Sequence, residues 1–235
     1  MSAEDLLATC KRRGILYPSF EIYGGVAGFY DYGPLGAAMK ENIEKLWKKH
    51  YLSHDNFVEI SCPAVTPEAV FKASGHVDRF TDYIARCGKC KSAYRADHLL
   101  KGIDTSELDL EGIKKIFEEK EILCEKCGER LTDISTFNLM FETTIGEEGR
   151  GYLRPETAQG IFINFPSAYR YFREKLPFGV IQIGRGYRNE ISPRQGVIRM
   201  REFNMAEAEF FYDENRCKAL SGIEEELNLL TNNNE

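Results

Sequence analysis

The sequence predicts an α+β domain carrying an insertion, and three observations carry that prediction. Apolar residues repeat at helical spacing over 2–13, 35–51 and 217–230. Two β-like runs, 179–188 and 199–212, flank a segment of turn composition, Ile191-Ser192-Pro193-Arg194-Gln195-Gly196. A charged stretch bounded by two CxxC pairs, from Cys87 to Cys127, interrupts the pattern. The chain has 235 residues, room for one large domain or one domain with a smaller insert. A chain of this size buries roughly 70% of its unfolded surface and needs no disulfides to fold.

At the N-terminus, Ser2 and Asp5 stand at capping-box spacing and Gly14 stops the helix. The Gly- and Tyr-rich stretch 15–36 suits loops and short strands. From Leu35, the residues Met39, Ile43, Leu46, Trp47 and Tyr51 form one face of a helix. Lys40, Glu41, Glu44, Lys45 and Lys48 form the other, so the helix should pack on one side. Phe57 to Cys62 reads as a strand ending at Pro63, and Thr66-Pro67-Glu68 as a helix start with Thr66 as cap. Inside the charged stretch, a helix over 106–121 carries Ile113, Ile116 and Phe117 as its apolar stripe. Short apolar pieces at 137–141 and 161–165 precede the two β-like runs. The last helical pattern uses Cys217, Leu220, Ile223, Leu227 and Leu230.

Charge and composition narrow the function. The 31 Lys+Arg against 37 Asp+Glu give a net charge of −6, which excludes a generic basic nucleic-acid coat but allows a local basic surface. No apolar run reaches the ~18–20 residues of a membrane helix, and the acidic start lacks the form of an export signal. The expected location is the cytoplasm. Seven cysteines, four of them in CxxC pairs, fit a reducing compartment and a metal better than a disulfide set.

Cys87-Gly-Lys-Cys90 and Cys124-Glu-Lys-Cys127 are two knuckles. Two-residue spacing lets both sulfurs of a knuckle reach one ion, and four thiolates form a closed tetrahedral zinc site with no open catalytic position. Four incidental cysteines are the plain alternative. Cys10, Cys62 and Cys217 have no partner at metal spacing.

The stretch 182–211 holds the densest chemistry. In a strand, Arg199, Arg201, Phe203, Met205, Glu207 and Glu209 share a face, and Arg188 and Glu190 point together. Interleaved cations, an aromatic ring and carboxylates would clamp a polyphosphate, stack a flat base and hold an amine. A solvated, salt-bridged edge has the same composition. A helix would also align 199, 203 and 207, but the Pro/Gly turn favours a hairpin.

Arg188-Asn189-Glu190, a loop over 191–198, then Arg199-xxx-Phe203-xxx-Glu207 resembles the second signature motif of class II aminoacyl-tRNA synthetases. The block Gly151-Tyr152-Leu153-Arg154-Pro155-Glu156-Thr157-Ala158-Gln159-Gly160 is similar to that of the homodimeric glycyl-tRNA synthetase family. Ser74-Gly75-His76-Val77-Asp78 and Arg95-Ala96-Asp97-His98-Leu99 match its archaeal and eukaryotic branch. The helix from Leu35 to Tyr51, with the strand that follows, resembles the first class motif, which forms the dimer.

The resemblance implies an antiparallel sheet flanked by helices, with a zinc-binding insertion. It divides the chain into a first catalytic part with the dimer motif at 1–86, a zinc-knuckle insertion at 87–127, and a catalytic part with the ATP- and glycine-binding hairpin at 128–235. The activity it implies is ATP-dependent formation of glycyl-adenylate and transfer of glycine to tRNA(Gly). Arg188 should hold the α-phosphate and the glycine carboxylate as the catalytic cation. Glu190 should accept from the adenine amino group, Phe203 should stack on the base, and Arg199 should meet the γ-phosphate. Asn189 and Met200 join the ATP-binding set. Glu156 and Glu207 should receive the glycine ammonium, in a pocket that selects by excluding any Cβ substituent. Mg²⁺ would serve catalysis and Zn²⁺, on Cys87, Cys90, Cys124 and Cys127, structure. Arg194 in the hairpin loop should approach the tRNA acceptor end.

The family's third motif and its anticodon-binding domain have no counterpart in these residues, so the resemblance implies an incomplete domain that is a poor catalyst alone, with an unpaired sheet edge. A binding protein that kept the fold without the chemistry would have lost the charged nucleotide face, whereas Arg188, Glu190, Arg199, Phe203, Glu156 and Glu207 all remain. The insert serves either as a staple for a long loop or as a tRNA-binding knuckle using Lys89, Lys91, Arg95 and Lys101.

Overall fold

The computed structural model describes residues 3–105, 108–193 and 196–213. The helix expected near the N-terminus is α1 (Ala3–Arg12), ending at Gly14, whose φ is 68°. Ser2, the cap expected for it, lies outside the described residues, as do Ser106, Arg194 and the final helical pattern through Cys217. The Gly/Tyr-rich stretch forms two short strands, β1 (Leu16–Pro18) and β2 (Tyr30–Tyr32), paired antiparallel. Then follow α2 (Pro34–Leu52), β3 (Phe57–Glu59) and β4 (Val65–Pro67).

Beyond them, α3 (Glu68–Ala73) and α4 (His76–Arg79) lead to β5 (Thr81–Arg86), β6 (Ala93–Arg95) and α5 (Ala96–Leu99). Next come α6 (Leu110–Glu119), β7 (Asp133–Asn138), β8 (Phe141–Ile145) and β9 (Gly149–Leu153). The described chain closes with α7 (Ala158–Ile163), α8 (Phe165–Tyr171), β10 (Phe178–Tyr187) and β11 (Glu202–Phe211).

The sheet that matters most has the order β11-β10-β3. β10 and β11 pair antiparallel over their full length, from Phe178↔Phe211 to Tyr187↔Glu202, while β3 runs parallel to β10. One face of this hairpin changes character along its length. At one end Phe178 and Val180 are buried with Ile161 and Ala168 of α7 and α8, and Phe165 and Phe211 pack around them. Farther along, the same face carries Gln182 opposite Glu207 and Gly186 opposite Phe203. A hydrophobic core thus runs directly into a polar site, with no loop between them to blur its geometry.

Three expectations shift. Thr66 does not cap a helix: Thr66 and Pro67 pair with Tyr152 and Gly151 of β9, so the strand ladder claims them and α3 begins at Glu68. The insert helix begins at Leu110, because the Asp109 carboxylate accepts from Gly112 N–H at 2.8 Å and caps it there. The second β-run begins at Glu202, since 196–198 form a 3₁₀ turn, so strand parity does not extend to Arg199 or Arg201.

The faces of α2 also divide unevenly. Its C-terminal end packs through Trp47, Tyr51 and Phe57 onto Phe210 of β11, with ring centroids 4.7, 5.3 and 5.7 Å apart in turn. Its N-terminal apolar stripe stays open, with Leu35, Met39, Ile43 and Leu46 exposed at 55%, 53%, 67% and 71%. Single-sided packing therefore holds for only part of the helix within this chain.

The charged insert has a core of its own. Ile113 and Phe117 of α6 are fully buried, with Tyr94, Leu100, Cys87 and Cys124 around them. That core reaches beyond 87–127 to Leu131, and to Ala85 and Ile134 on the sheet of order β6-β5-β7.

Candidate active site and metal centre

The site is built around the segment that links β9 to α7. Arg154 is buried at 7% exposure and acts as a strut. Its Nε donates to the Arg185 carbonyl at 2.9 Å, and its Nη1 donates to the Cys62 carbonyl at 2.7 Å. Burial pulls its pKa down, but the carbonyl oxygens satisfy the guanidinium. Gly184 makes this possible, because a Cβ at that position would overlap Arg154 Nη2.

Beyond Arg154, the peptide of Thr157 is clamped at both ends by paired residues of the hairpin. Thr157 N donates to Glu207 Oε2 at 2.7 Å, and the Thr157 hydroxyl donates to the same oxygen. Gln182, fully buried and opposite Glu207, donates from Nε2 to the Thr157 carbonyl at 2.9 Å. Its Oε1 accepts from Cys62 N–H at 2.8 Å, which continues the β3 edge past Glu59.

This clamp holds the carboxylate of Glu207 beside the segment carrying Glu156. Glu156 Oε1 accepts from Gln159 Nε2 at 2.5 Å and lies 3.5 Å from His76 Nε2. Glu209 stands two residues beyond Glu207 on the same strand face. Burial, then the charges of Glu207 and Glu156, push its pKa up. Three carboxylates therefore share one small region, an arrangement that a compact cation would relieve.

Arg188 follows β10. Its Nε donates to the Pro155 carbonyl at 3.3 Å, and its guanidinium lies 5.4 Å from the ring centroids of both Phe80 and Phe203. One cation thus sits next to the carboxylate-bearing segment and against the ring expected to stack on a base. Glu190 is 8% exposed, and its Oε2 accepts no hydrogen bond among the described residues. Arg199 places its Nη1 3.8 Å from that oxygen. Asn189 hydrogen-bonds through its backbone N–H to the Leu139 carbonyl at 2.7 Å.

The structure brings Glu156, Glu207, Arg188 and Phe203 together, with Glu190 and Arg199 paired beside them. It does not bring Met200 into that group. Met200 instead lines a cavity with Phe29, Tyr30, Arg185 and Val197, which Phe203 also borders. Arg201, expected on the site face, turns to structure: its Nε and Nη2 donate to the Glu190 carbonyl at 3.0 and 2.7 Å, and its Nη1 to the Ala27 carbonyl at 2.8 Å. Gln182, Thr157, Gln159 and His76 were not singled out individually from sequence. The available signal was Gln182 itself, an amide inside an otherwise apolar buried strand run.

The four knuckle cysteines converge. Cys87 and Cys127 Sγ lie 3.5 Å apart, as do Cys90 and Cys124 Sγ, and all four lie within 4.8 Å of one another. Sulfurs at the corners of a tetrahedron about 2.3 Å from zinc would be about 3.8 Å apart. The donors therefore fit a four-thiolate ion in both chemistry and spacing. Lys91 and Gly128, each just after a knuckle's second cysteine, both take left-handed backbone, at φ 60° and 72°.

Hydrogen bonds from Ser92 pull the Cys90 thiol down to about 6. The Glu129 backbone works to lower Cys127, but burial and the three neighbouring sulfurs push it up to about 12. A cation at their centre would offset the mutual repulsion of the sulfurs as thiolates.

Residues 141–229 match the family described as tRNA synthetase class II core domain (G, H, P, S and T). The glycine–tRNA ligase of Methanococcus maripaludis is 54% identical over 215 residues, covering 89% of this chain and 38% of the relative. That of Methanothrix thermoacetophila is 54% identical over 214 residues, covering 89% and 37%. The chain therefore spans less than two-fifths of the length of these relatives.

Among solved structures, the RNA-binding domain of threonyl-tRNA synthetase from Cryptosporidium parvum aligns with TM-score 0.57 at 17% identity, over 95% of this chain and 40% of that one. Prolyl-tRNA synthetase from Giardia lamblia, in complex with prolyl-adenylate, aligns with TM-score 0.53 at 17% identity, over 95% and 33%. Both show the class II fold. Among the described residues no helix is long and apolar enough to cross a membrane.

Proposed function

We propose that this chain, which carries a class II tRNA synthetase core and is homologous to glycine–tRNA ligases, contributes the nucleotide and glycine pockets of such a ligase. The observation that carries the reading is the placement of Arg188. It donates to the carbonyl just before Glu156 and lies against Phe203, with Glu207 fixed one peptide away through Thr157. A zwitterion and a purine nucleotide need that set: carboxylates for the ammonium, a cation where the amino-acid carboxylate meets phosphate, and a ring for the base.

In the reaction, a glycine carboxylate oxygen attacks the α-phosphorus of ATP. The new P–O bond forms as the bond to the β-phosphate oxygen breaks, and pyrophosphate leaves. No protein base is required, because the nucleophile is already ionised. Arg188 bridges the carboxylate and the α-phosphate and stabilises charge on the transferring group. Glu156 and Glu207 hold the ammonium, Glu190 takes the adenine amino group, Phe203 stacks on the ring and Arg199 meets the γ-phosphate. Asn189 and Met200 border the nucleotide. Mg²⁺ bound with the triphosphate would supply further positive charge to its phosphates, beside that of Arg188 and Arg199. Transfer of glycine to tRNA(Gly), in the cytoplasm, completes the activity.

Glycine offers no side chain to grip, so selection rests on space. The Thr157 peptide, held from both sides by Glu207 and Gln182, is a wall that cannot retreat to admit a Cβ. Zn²⁺ on Cys87, Cys90, Cys124 and Cys127 staples the insert and has no part in the chemistry. The open apolar stripe of α2 is the surface on which a second copy would pair.

Replacing Arg188 tests the reading. Arg188→Ala should weaken binding of a non-hydrolysable glycyl-adenylate analogue by about a hundredfold, the loss of a charge-assisted pair. Far-UV circular dichroism should stay unchanged, since Arg188 supports one carbonyl. Undiminished affinity would contradict the reading.

A further inference from the structure

The nucleotide face touches the metal-bearing insert through a chain of charged contacts that the proposed reaction does not use. The contact begins at Arg199. Its Nη1 lies 3.4 Å from Nε2 of His98 on α5 and 3.8 Å from Glu190 Oε2. In the tautomer protonated at Nδ1, the Nε2 lone pair of the imidazole accepts from a guanidinium N–H. Arg199 is thus held from two sides, by the insert and by the carboxylate expected to read adenine.

His98 is itself oriented by Arg95, which ends β6 immediately before α5. Arg95 forks onto Asp97, Nε to Oδ1 at 3.0 Å and Nη2 to Oδ2 at 2.8 Å, and places Nη1 2.9 Å from Asp82 Oδ2 on β5. Three guanidinium nitrogens therefore fix α5 to the insert sheet. Tyr94, the residue before Arg95, is buried with its hydroxyl 3.3 Å from Cys124 Sγ. The route from the four sulfurs to Arg199 is therefore Tyr94 and Arg95 on β6, then α5 and His98. A cleft of about 380 Å³ marks the meeting of insert and hairpin, lined by Tyr94, Arg95, Asp97, His98, Ser192 and Arg199.

We propose that His98 and Arg95 are positioning residues for the nucleotide site, through which the cysteine-stapled insert sets Arg199 and so the affinity for the triphosphate tail of ATP. The proposal rests on the reading of Arg199 as the γ-phosphate contact. Unlike that reading, it assigns the insert a part in substrate binding from outside the nucleotide-binding segments. Acting through Arg199, His98 should affect ATP and leave AMP alone, since AMP lacks the γ-phosphate. Its effect should also vanish when Arg199 is already gone, because coupled residues do not add.

The test is calorimetric titration of the zinc-loaded 235-residue chain with ATP and with AMP. His98 is exposed, so replacing it leaves the core intact. His98→Ala should weaken ATP binding about tenfold and AMP binding less than about twofold. His98→Gln, whose amide oxygen can still accept from Arg199, should keep ATP affinity within about threefold of the parent. Adding His98→Ala to Arg199→Ala should cost nothing further.

Unchanged ATP affinity in His98→Ala, equal losses for ATP and AMP, or additive losses in the double variant would each overturn the proposal while leaving the nucleotide reading in place. A parent chain that binds neither nucleotide would overturn that reading, and the proposal with it.

Discussion

Glu207 is pinned by the N–H and hydroxyl of Thr157, and these two bonds fix the direction of its carboxylate. Glu207→Gln should weaken glycyl-adenylate analogue binding by about ten- to a hundredfold, measured by calorimetry, since one of the two carboxylates proposed to hold the ammonium loses its charge. Glu209 makes the opposite kind of prediction. Its folded pKa is raised, by burial first and then by Glu207 and Glu156, so the native state binds more protons than the unfolded chain above the ordinary glutamate range. Stability should therefore fall as pH rises through that window. At pH 8, Glu209→Gln should melt at a higher temperature than the parent, and the two should converge below about pH 4, under the ordinary glutamate pKa. Equal melting temperatures at pH 8 would remove the carboxylate cluster from the account. In sequence, Glu207 and Glu209 were legible as members of one strand face. Thr157 as the partner of Glu207 was not, because no local pattern pairs a residue before α7 with one on β11.

At the scale of elements, the hairpin is the part most readable from sequence, and the reason is geometric. Side-chain alternation is fixed by the strand itself, so Phe203, Met205, Glu207 and Glu209 share a face wherever the strand is placed. The same argument fails at Arg199 and Arg201, which precede the strand and whose directions are set by His98, Glu190 and Ala27. Glycines on the β10 site face show what the partner strand alone does not. Gly184→Ala would push the Arg154 guanidinium off its carbonyls and should destabilise the chain by about 1–3 kcal/mol in urea unfolding. In the insert, sequence spacing announced the four sulfurs, while the extent of their core, out to Ala85 and Ile134, depended on pairing between distant strands. Chelating the ion should lower amide protection across 85–134 by about a hundredfold and leave β10 and β11 protected, as read by hydrogen exchange.

At the scale of the whole molecule, the open stripe of α2 and the carboxylate cluster of the hairpin lie on opposite faces of one sheet. The stripe borders a groove with Ile183 and Ala206, which point away from Glu207. Helix periodicity identified the stripe, but no periodicity can say whether its cover comes from the same chain. If a second copy provides it, Ile43→Glu with Leu46→Glu should weaken self-association by about a hundredfold in sedimentation equilibrium. On the other face, the proposed selection of glycine rests on the clamped Thr157 backbone beside Glu156 and Glu207, with no space for a Cβ. Calorimetric titration of the zinc-loaded chain with non-hydrolysable glycyl- and alanyl-adenylate analogues measures this directly. The account predicts that the glycyl compound binds and the alanyl compound, larger by one methyl group, binds at least about a hundredfold more weakly. Equal affinity for the two would contradict it.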